Sequence, residues 1–305
     1  MNNIFISLLI TILMPFFSLN EGPLQYPEPA NGWVEGDCQS TQLQSPINIP
    51  SEHDSSLVID NLTHAKINLL NYSLINSSSV KFDHGHKWTT TELNVGNLSI
   101  VLNNTLYYYK LHSIHFHLYS EHRLHNKQYP MEMHMVHKNL NISDKENENL
   151  VIGIFFDYQH NIHNDFLDKM QLSTEKIIKN ADIKKLIHEN EPFYYYKGSL
   201  TTVPCTENVN WIVYKEVKHM SFSQFNSFSQ WVENSNQQYY GTGYGNARGP
   251  KNLNGRKVYL ENFHGVVEEE ITEAGTGFMG KIMCALPFVT FLLYPIAIYF
   301  GFKGR

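Results

Sequence analysis

Lysine and arginine are few and scattered. There are 23 of them against 29 acidic residues in a chain of 305, the formal net charge is -6, and no stretch carries a basic stripe. That balance argues against a nucleic-acid partner. Cysteine is scarcer still, with three in all. No internal repeat and no linker composition interrupts residues 25–270, so that span reads as one domain with a core drawn from 42% apolar residues. Charge is missing at both ends. None occurs in the apolar run Ile4–Phe17, and none from Ile282 to Phe302.

The uncharged ends set the domain plan. An apolar run followed by small and polar residues reads as a signal peptide over 1–20, although no basic residue precedes it. Residues 282–302 are long enough to cross a bilayer, after a linker at 273–281 and before a short basic tail at 303–305. A transmembrane helix and a glycolipid (GPI) attachment signal, with small residues at Ala274–Gly277, both remain open. Either way, residues 21–272 are expected outside the cytosol, anchored at the cell surface. Six sequons, at Asn61, Asn71, Asn76, Asn97, Asn103 and Asn141, fit an exported glycoprotein. Cys284 falls in the apolar tail. Cys38 and Cys205 are then the one exported pair, and a long-range disulfide contributing roughly 2–4 kcal/mol is the expectation.

Short alternating or β-branched runs dominate the middle of the chain. They include AKINLLNYSL, LSIVLNNTLYYYKLHSIHFHLY, MEMHMVHKN, LVIGIFFDY, NWIVYKEV and RKVYLENF. Two stretches have helical spacing: residues 164–189, and SFSQFNSFSQWVE with Ser223 as its N-cap. The fold class is α+β, dominated by one large sheet.

Six of the sixteen histidines lie within Ser113–His137. Alternate residues of a strand share a face. A strand over 111–118 turns Ser113, His115 and His117 one way, and His112, Ile114 and Phe116 the other. A strand over 131–138 groups Glu132, His134 and Val136 against Met133, Met135 and His137. An antiparallel pair with coincident faces would bring His115, His117 and His134 to one point, the three-imidazole arrangement of a catalytic zinc site. Glu132 and Ser113 lie where they could accept the second N–H of a ligand. His122 and His125 fall in the intervening loop without an assignment. No His-Glu-x-x-His helix motif supports a zinc peptidase, and HFHLYSE matches only the first half of a cupin motif.

Over nearly all of 31–262 the sequence resembles the α-class carbonic anhydrases. The resemblance rests on motifs in the family's order: QSPINI from Gln44 to Ile49, HFH with SEH and MEMHMVH, GSLTTVPC from Gly198 to Cys205, NVNWIVYKE, and NARGPKNLNGRKV. It implies a mostly antiparallel ten-stranded sheet with zinc in a conical cleft. His115, His117 and His134 match the zinc ligands. Thr201 and Glu121 match the pair that orients the zinc-activated water, with Thr202 beside them. Glu132 matches a residue bracing a ligand. Val136, Val151, Leu200, Val209 and Trp211 match the apolar wall at which carbon dioxide sits. His86, in HGH, matches the proton-shuttle histidine. Cys38 and Cys205 match the disulfide of exported members, and QSPINI reads as structural.

The chain departs from the family at several points. Ser113 stands where glutamine is usual, Leu118 and Lys138 where tryptophan is, and Val203 where the first of two prolines is. The resemblance implies that the Val203–Pro204 bond can still be cis, as the family's is. The loop from His137 to Val151 is short. The implied function is zinc-dependent, reversible hydration of carbon dioxide to bicarbonate, with the proton relayed through His86. The alternative is an inactive, carbonic-anhydrase-like binding ectodomain.

Overall fold

A computed structural model describes residues 36–40, 42–60, 62–77, 80–83, 87–91, 95–172, 178–240 and 245–262, with backbone alone at 77–91 and 234–240. The chain divides into two compact units, Met1–His264 and Gly265–Arg305. The expected leader, the linker, the apolar C-terminal segment, Asn61 and His86 all lie outside the described residues. Among the described residues, no helix is long and apolar enough to cross a membrane.

One large, mostly antiparallel sheet organises the first unit. Among the described residues it holds twelve hydrogen-bonded segments, two more than the expected ten, because two lines are interrupted. Glu207–Tyr214 and Lys218–Met220 both run parallel to Asn149–Tyr158. Lys87–Thr91 and Gly96–Leu102 both run antiparallel to Thr105–Leu118. The two histidine-bearing strands, Thr105–Leu118 and Met131–Asn139, are neighbours near the middle, joined by the expected twelve-residue loop.

The two faces of the sheet are buried differently. On one side Ile114, Phe116, Met133, Met135, Ile152 and Ile154 pack into the larger core cluster. On the other, Val151, Phe155, Tyr194, Tyr196, Val209 and Trp211 form a second cluster. The alternation along Met131–Asn139 therefore sends Met133 and Met135 into one core and leaves Glu132, His134 and Val136 on the opposite face.

Three expectations need correction. The described residues of 164–189 do not form one long helix. Helix Asp165–Met170, capped by the Asn164 side chain, stops at Gln171 in the left-handed region (φ 52°). Ile178–Ala181 then pairs as a strand with Ile75–Ser77, and Ile183–Lys185 forms a 3-10 turn capped by Asp182. The apolar spacing is real, since Ile178, Ile183, Leu186 and Ile187 are all buried, but strand pairing and a left-handed stop override it.

The second helix does form, over Phe222–Tyr240, but its cap is Ser221 rather than Ser223. The Ser221 hydroxyl accepts from Gln224 N at 3.2 Å, and Gln224 Oε1 accepts from Ser221 N at 3.1 Å. This is a reciprocal capping box. The third correction concerns His112. Val136 faces Ser113 while His137 faces Leu111, so His112 is an extra, exposed residue where the ladder shifts and does not share the core face of Ile114.

Candidate metal centre

The register of the two histidine strands sets His134 directly opposite His115, and Glu132 opposite His117. Ring centroids lie 4.9 Å apart for His115 and His117, 5.1 Å for His115 and His134, and 4.6 Å for His117 and His134. One nitrogen from each ring falls within 4.8 Å of the others, and all three residues are buried. His117 Nδ1 donates to the Asn246 carbonyl at 2.9 Å, which leaves Nε2 to face the cluster. His134 Nε2 donates to Glu132 Oε1 at 2.9 Å, so its Nδ1 carries the lone pair and approaches His115 Nε2 to 3.3 Å. Fixing the outer nitrogen of a ligand to a carbonyl or carboxylate is how proteins set imidazole tautomer and basicity. Three imidazoles with a nitrogen each at one point fit a divalent cation with nitrogen preference, such as zinc.

Glu132 does more than brace one ligand. Its carboxylate also accepts from His122 Nδ1 at 2.7 Å and from His122 N at 2.9 Å. Burial alone would raise its pKa. The two histidines beside it and their hydrogen bonds outweigh that, holding the carboxyl well below the usual range. His122 Nε2 continues to Tyr196 OH at 2.7 Å, and Tyr196 OH to Ser45 Oγ at 2.9 Å. Ser45 Oγ accepts from Ser199 N, and Ser45 N donates to Ser199 Oγ. The QSPINI segment is thereby a brace, as expected. Room for the Glu132 carboxylate depends on Gly153, across the ladder from His134. A β-carbon at Gly153 would sit 2.8 Å from Glu132 Oε1.

Glu121 and Thr201 meet beside the imidazoles. Glu121 is buried, and Oε1 lies 3.5 Å from His117 Nδ1 and Oε2 3.7 Å from His134 Nδ1. Burial pushes its carboxyl up to about 8, against the favourable influence of the nearby Thr201 side chain and a hydrogen bond from the Arg248 backbone N–H at 2.9 Å. The apolar wall residues Val151, Val209 and Trp211 are buried in one cluster, with Val136 and Leu200 packed against it. Thr202 is half-buried next to Thr201. Trp211 lies against His134 with centroids 4.9 Å apart, and its Nε1 donates to Ser199 O at 2.9 Å. Ser113 is buried across from Val136.

Cys38 and Cys205 are bonded. The Val203–Pro204 peptide is cis, as is Ser45–Pro46. Asn71, Asn76, Asn97, Asn103 and Asn141 are all exposed. His125 is exposed in a turn, while His137 is buried on the far face with Nε2 2.8 Å from Tyr72 OH.

Asn246 and His122 were not legible as site residues. Asn246 braces His117 through its backbone carbonyl while its side chain holds Leu118 N at 2.6 Å and Phe116 O at 3.1 Å. A backbone acceptor leaves no residue-type signature, and His122 belongs to a loop with no period to place it.

A model of the family described as eukaryotic-type carbonic anhydrase matches residues 28–262. Alpha carbonic anhydrase 8 of Arabidopsis thaliana is 29% identical over 250 residues, which cover 79% of this chain and 58% of that protein. Alpha carbonic anhydrase 3 of the same plant is 32% identical over 236 residues, covering 73% of this chain and 76% of the relative. Among solved structures, a carbonic anhydrase from Chlamydomonas reinhardtii in complex with acetazolamide aligns with a TM-score of 0.59 at 27% identity. That alignment covers 80% of this chain and all of the other. The match spans more than three quarters of the sequence and takes in the imidazole cluster with its braces, and on that basis the chain belongs to the eukaryotic-type carbonic anhydrase family.

Proposed function

We propose that this chain hydrates carbon dioxide reversibly to bicarbonate and a proton, with zinc held by His115, His117 and His134. The observation that carries the reading is the convergence of three buried imidazoles, two of them fixed by Asn246 and Glu132, beside the Thr201–Glu121 pair. Bound zinc supplies the Lewis acidity that ionises water at a pKa of about 7, the value for carbonic anhydrases as a class rather than one this structure yields.

The chain's own residues do the rest. Beside zinc held by these imidazoles Glu121 would be ionised, and a carboxylate can only accept. The Thr201 hydroxyl must donate to it, so the Thr201 oxygen accepts from the nucleophile and orients its attacking lone pair. Val136, Val151, Leu200, Val209 and Trp211 give the apolar substrate a dry wall, and Thr202 lines the pocket edge. His86 relays the departing proton, since an imidazole titrating near neutrality can take it and pass it to buffer.

The catalytic unit works outside the cell. An exported disulfide, exposed sequons and an uncharged N-terminal run support export. The C-terminal segment anchors it as a transmembrane helix or through a glycolipid, and release by a glycolipid-cleaving phospholipase distinguishes the two.

The central test is carbon dioxide hydration by the full chain, before and after chelation. Activity lost with the metal and restored by zinc supports the reading. A folded protein that binds zinc at none of these residues and does not hydrate carbon dioxide leaves the binding-ectodomain alternative. For the relay, His86→Ala should slow turnover in dilute buffer and recover with added imidazole; unchanged turnover rejects it.

A further inference from the structure

Away from the metal centre, the sheet exposes an apolar face. Strand Gly96–Leu102 lies between Ala65–Tyr72 and the outer half of Thr105–Leu118. Across these three strands Leu69 pairs with Ser99 and Ser99 with Tyr108; in the next rank outward Val101 pairs with Leu106 on one side and with the exposed Lys66 on the other. Leu140 extends the first row, donating its N–H to Tyr108 O. Leu69, Leu106, Tyr108 and Leu140 are 50%, 44%, 53% and 55% exposed. Four exposed apolar side chains near one another on a sheet make a surface that something can cover or that can associate.

The sequence places its own cover there. In the rank on the other side of the apolar row, Asn71 pairs directly with Asn97 and Asn97 with Lys110. Both asparagines open sequons, both are exposed, and among the described residues neither side-chain amide is engaged. Of the other exposed sequons, Asn103 lies in the turn beyond Leu102, away from this row, and two have engaged side chains. Asn76 Oδ1 accepts from Asn180 N, and Asn141 Oδ1 from Ser143. Asn71 is two residues along its strand from Leu69, on the same face. Asn97 is the diagonal neighbour of Tyr108, a separation that an aromatic side chain spans. Between Leu69 and Tyr108 stands the small, buried Ser99, itself the hydroxyl residue of the Asn97 sequon.

We propose that Asn71 and Asn97 carry N-linked glycans whose first sugars lie over the Leu69–Ser99–Tyr108 row and keep this face of the sheet from associating. The proposal rests on the reading that the chain is exported. In the transfer, the amide nitrogen attacks C1 of the first sugar of a lipid-diphosphate-linked oligosaccharide. The C1–O bond breaks, the lipid diphosphate leaves with its electron pair, and the amide gives one proton to a base of the transferase. The apolar face of the attached pyranose then stacks on the Tyr108 ring and against Leu69. Its hydroxyls face water, replacing an apolar surface with a polar one.

The test uses the full chain in membranes from a glycosylating eukaryotic cell. Peptide mass mapping reads sequon occupancy, and a tyrosine-nitrating reagent reads access to Tyr108, with the exposed Tyr158 as internal control. Expected are modified Asn71 and Asn97, and slow nitration of Tyr108 that rises several-fold once glycans are removed completely. Trimming to the first sugar should leave the protection in place, and Tyr158 should not change. Glycan at other sequons with Asn71 and Asn97 bare overturns this inference and spares export. Bare asparagines at all six overturn both. Equal Tyr108 rates with and without glycan refute the stacking. Protection that survives complete removal but disappears on dilution assigns the face to a second copy and overturns the proposal.

Discussion

Glu132 carries more of the site than its place beside His134 suggests. One carboxylate accepts from the His134 ring, the His122 ring and the His122 backbone. Glu132→Gln keeps the volume but puts an amide N–H₂ where acceptors are needed. Zinc affinity should fall about 10- to 100-fold, the usual cost of losing a partner of a metal-ligating histidine. Competition with a chromophoric chelator measures it, and unchanged affinity would contradict the bracing role. Thr201 makes the complementary prediction. Thr201→Ala should lower kcat/KM by about 100-fold or more, as for loss of one oriented hydrogen-bonding group, with zinc content unaltered, while Thr201→Ser retains most of the rate. A loss of metal in Thr201→Ala would reassign the residue to structure. The Glu132 contact to His134 was readable from strand parity. Its contact to His122 was not, because parity says nothing about where a loop folds back.

At the scale of elements, the histidine strand works because its irregularity falls in the right place. The extra residue at His112 flips the alternation, so Tyr109 and Leu111 share a core with Ile114 and Phe116. Beyond the bulge, Ser113, His115 and His117 alternate cleanly, which is why parity counted from 111 picked three imidazoles that the structure brings together while misplacing His112. The helix Phe222–Tyr240 teaches a related lesson. Its buried Phe228 and Val232 follow the apolar spacing, but two serines two residues apart offer equivalent caps to the eye. Only the Gln224 side chain, which reaches back to Ser221 N, picks the first. Ser221→Ala should therefore destabilise by about 1 kcal/mol and Ser223→Ala by less. Chemical denaturation measures both, and the reverse order would refute the capping box.

For the whole molecule, acid sensitivity follows from a histidine with no part in the metal centre. His137 is fully buried, and burial pushes its pKa from 6.5 down to about 4, against weaker opposition from the Leu150 and Met135 backbone. Between those values the unfolded chain takes up a proton that the folded one refuses. The stability is fully present above the ordinary histidine pKa and is lost as pH falls toward the folded value. From pH 7 to pH 5 the zinc-loaded protein should lose about 2 kcal/mol more than a His137→Gln variant, whose amide can still accept from Tyr72 OH. Urea denaturation at the two pH values compares them, and parallel losses would show that His137 does not titrate on unfolding. Long-range ties hold the same molecule together. Arg248 sends its backbone N–H to Glu121 and its guanidinium to Gln44 Oε1 at 2.9 Å and Ser45 O at 2.7 Å. The brace segment and the site glutamate thus share one anchor from late in the chain.

The sequence by itself determined most of the elements and the chemistry: which of the alternating runs are strands, which residue types can ligate a metal, and the ordered motifs that point to one family. Those properties are local, set by a two-residue period, by side-chain donor chemistry and by spacing along the chain. Only the tertiary structure decided which partners meet. The Asn246 carbonyl on His117, the His122–Glu132–His134 link, the glycine that gives Glu132 room and the pairing of Asn71 with Asn97 all join residues through register and loop path. Residues 164–189 show the limit from the other side. Helical spacing was present, yet burial there was satisfied by a short helix, a strand and a turn, because pairing with Ile75–Ser77 meets backbone hydrogen-bonding needs that no periodicity records.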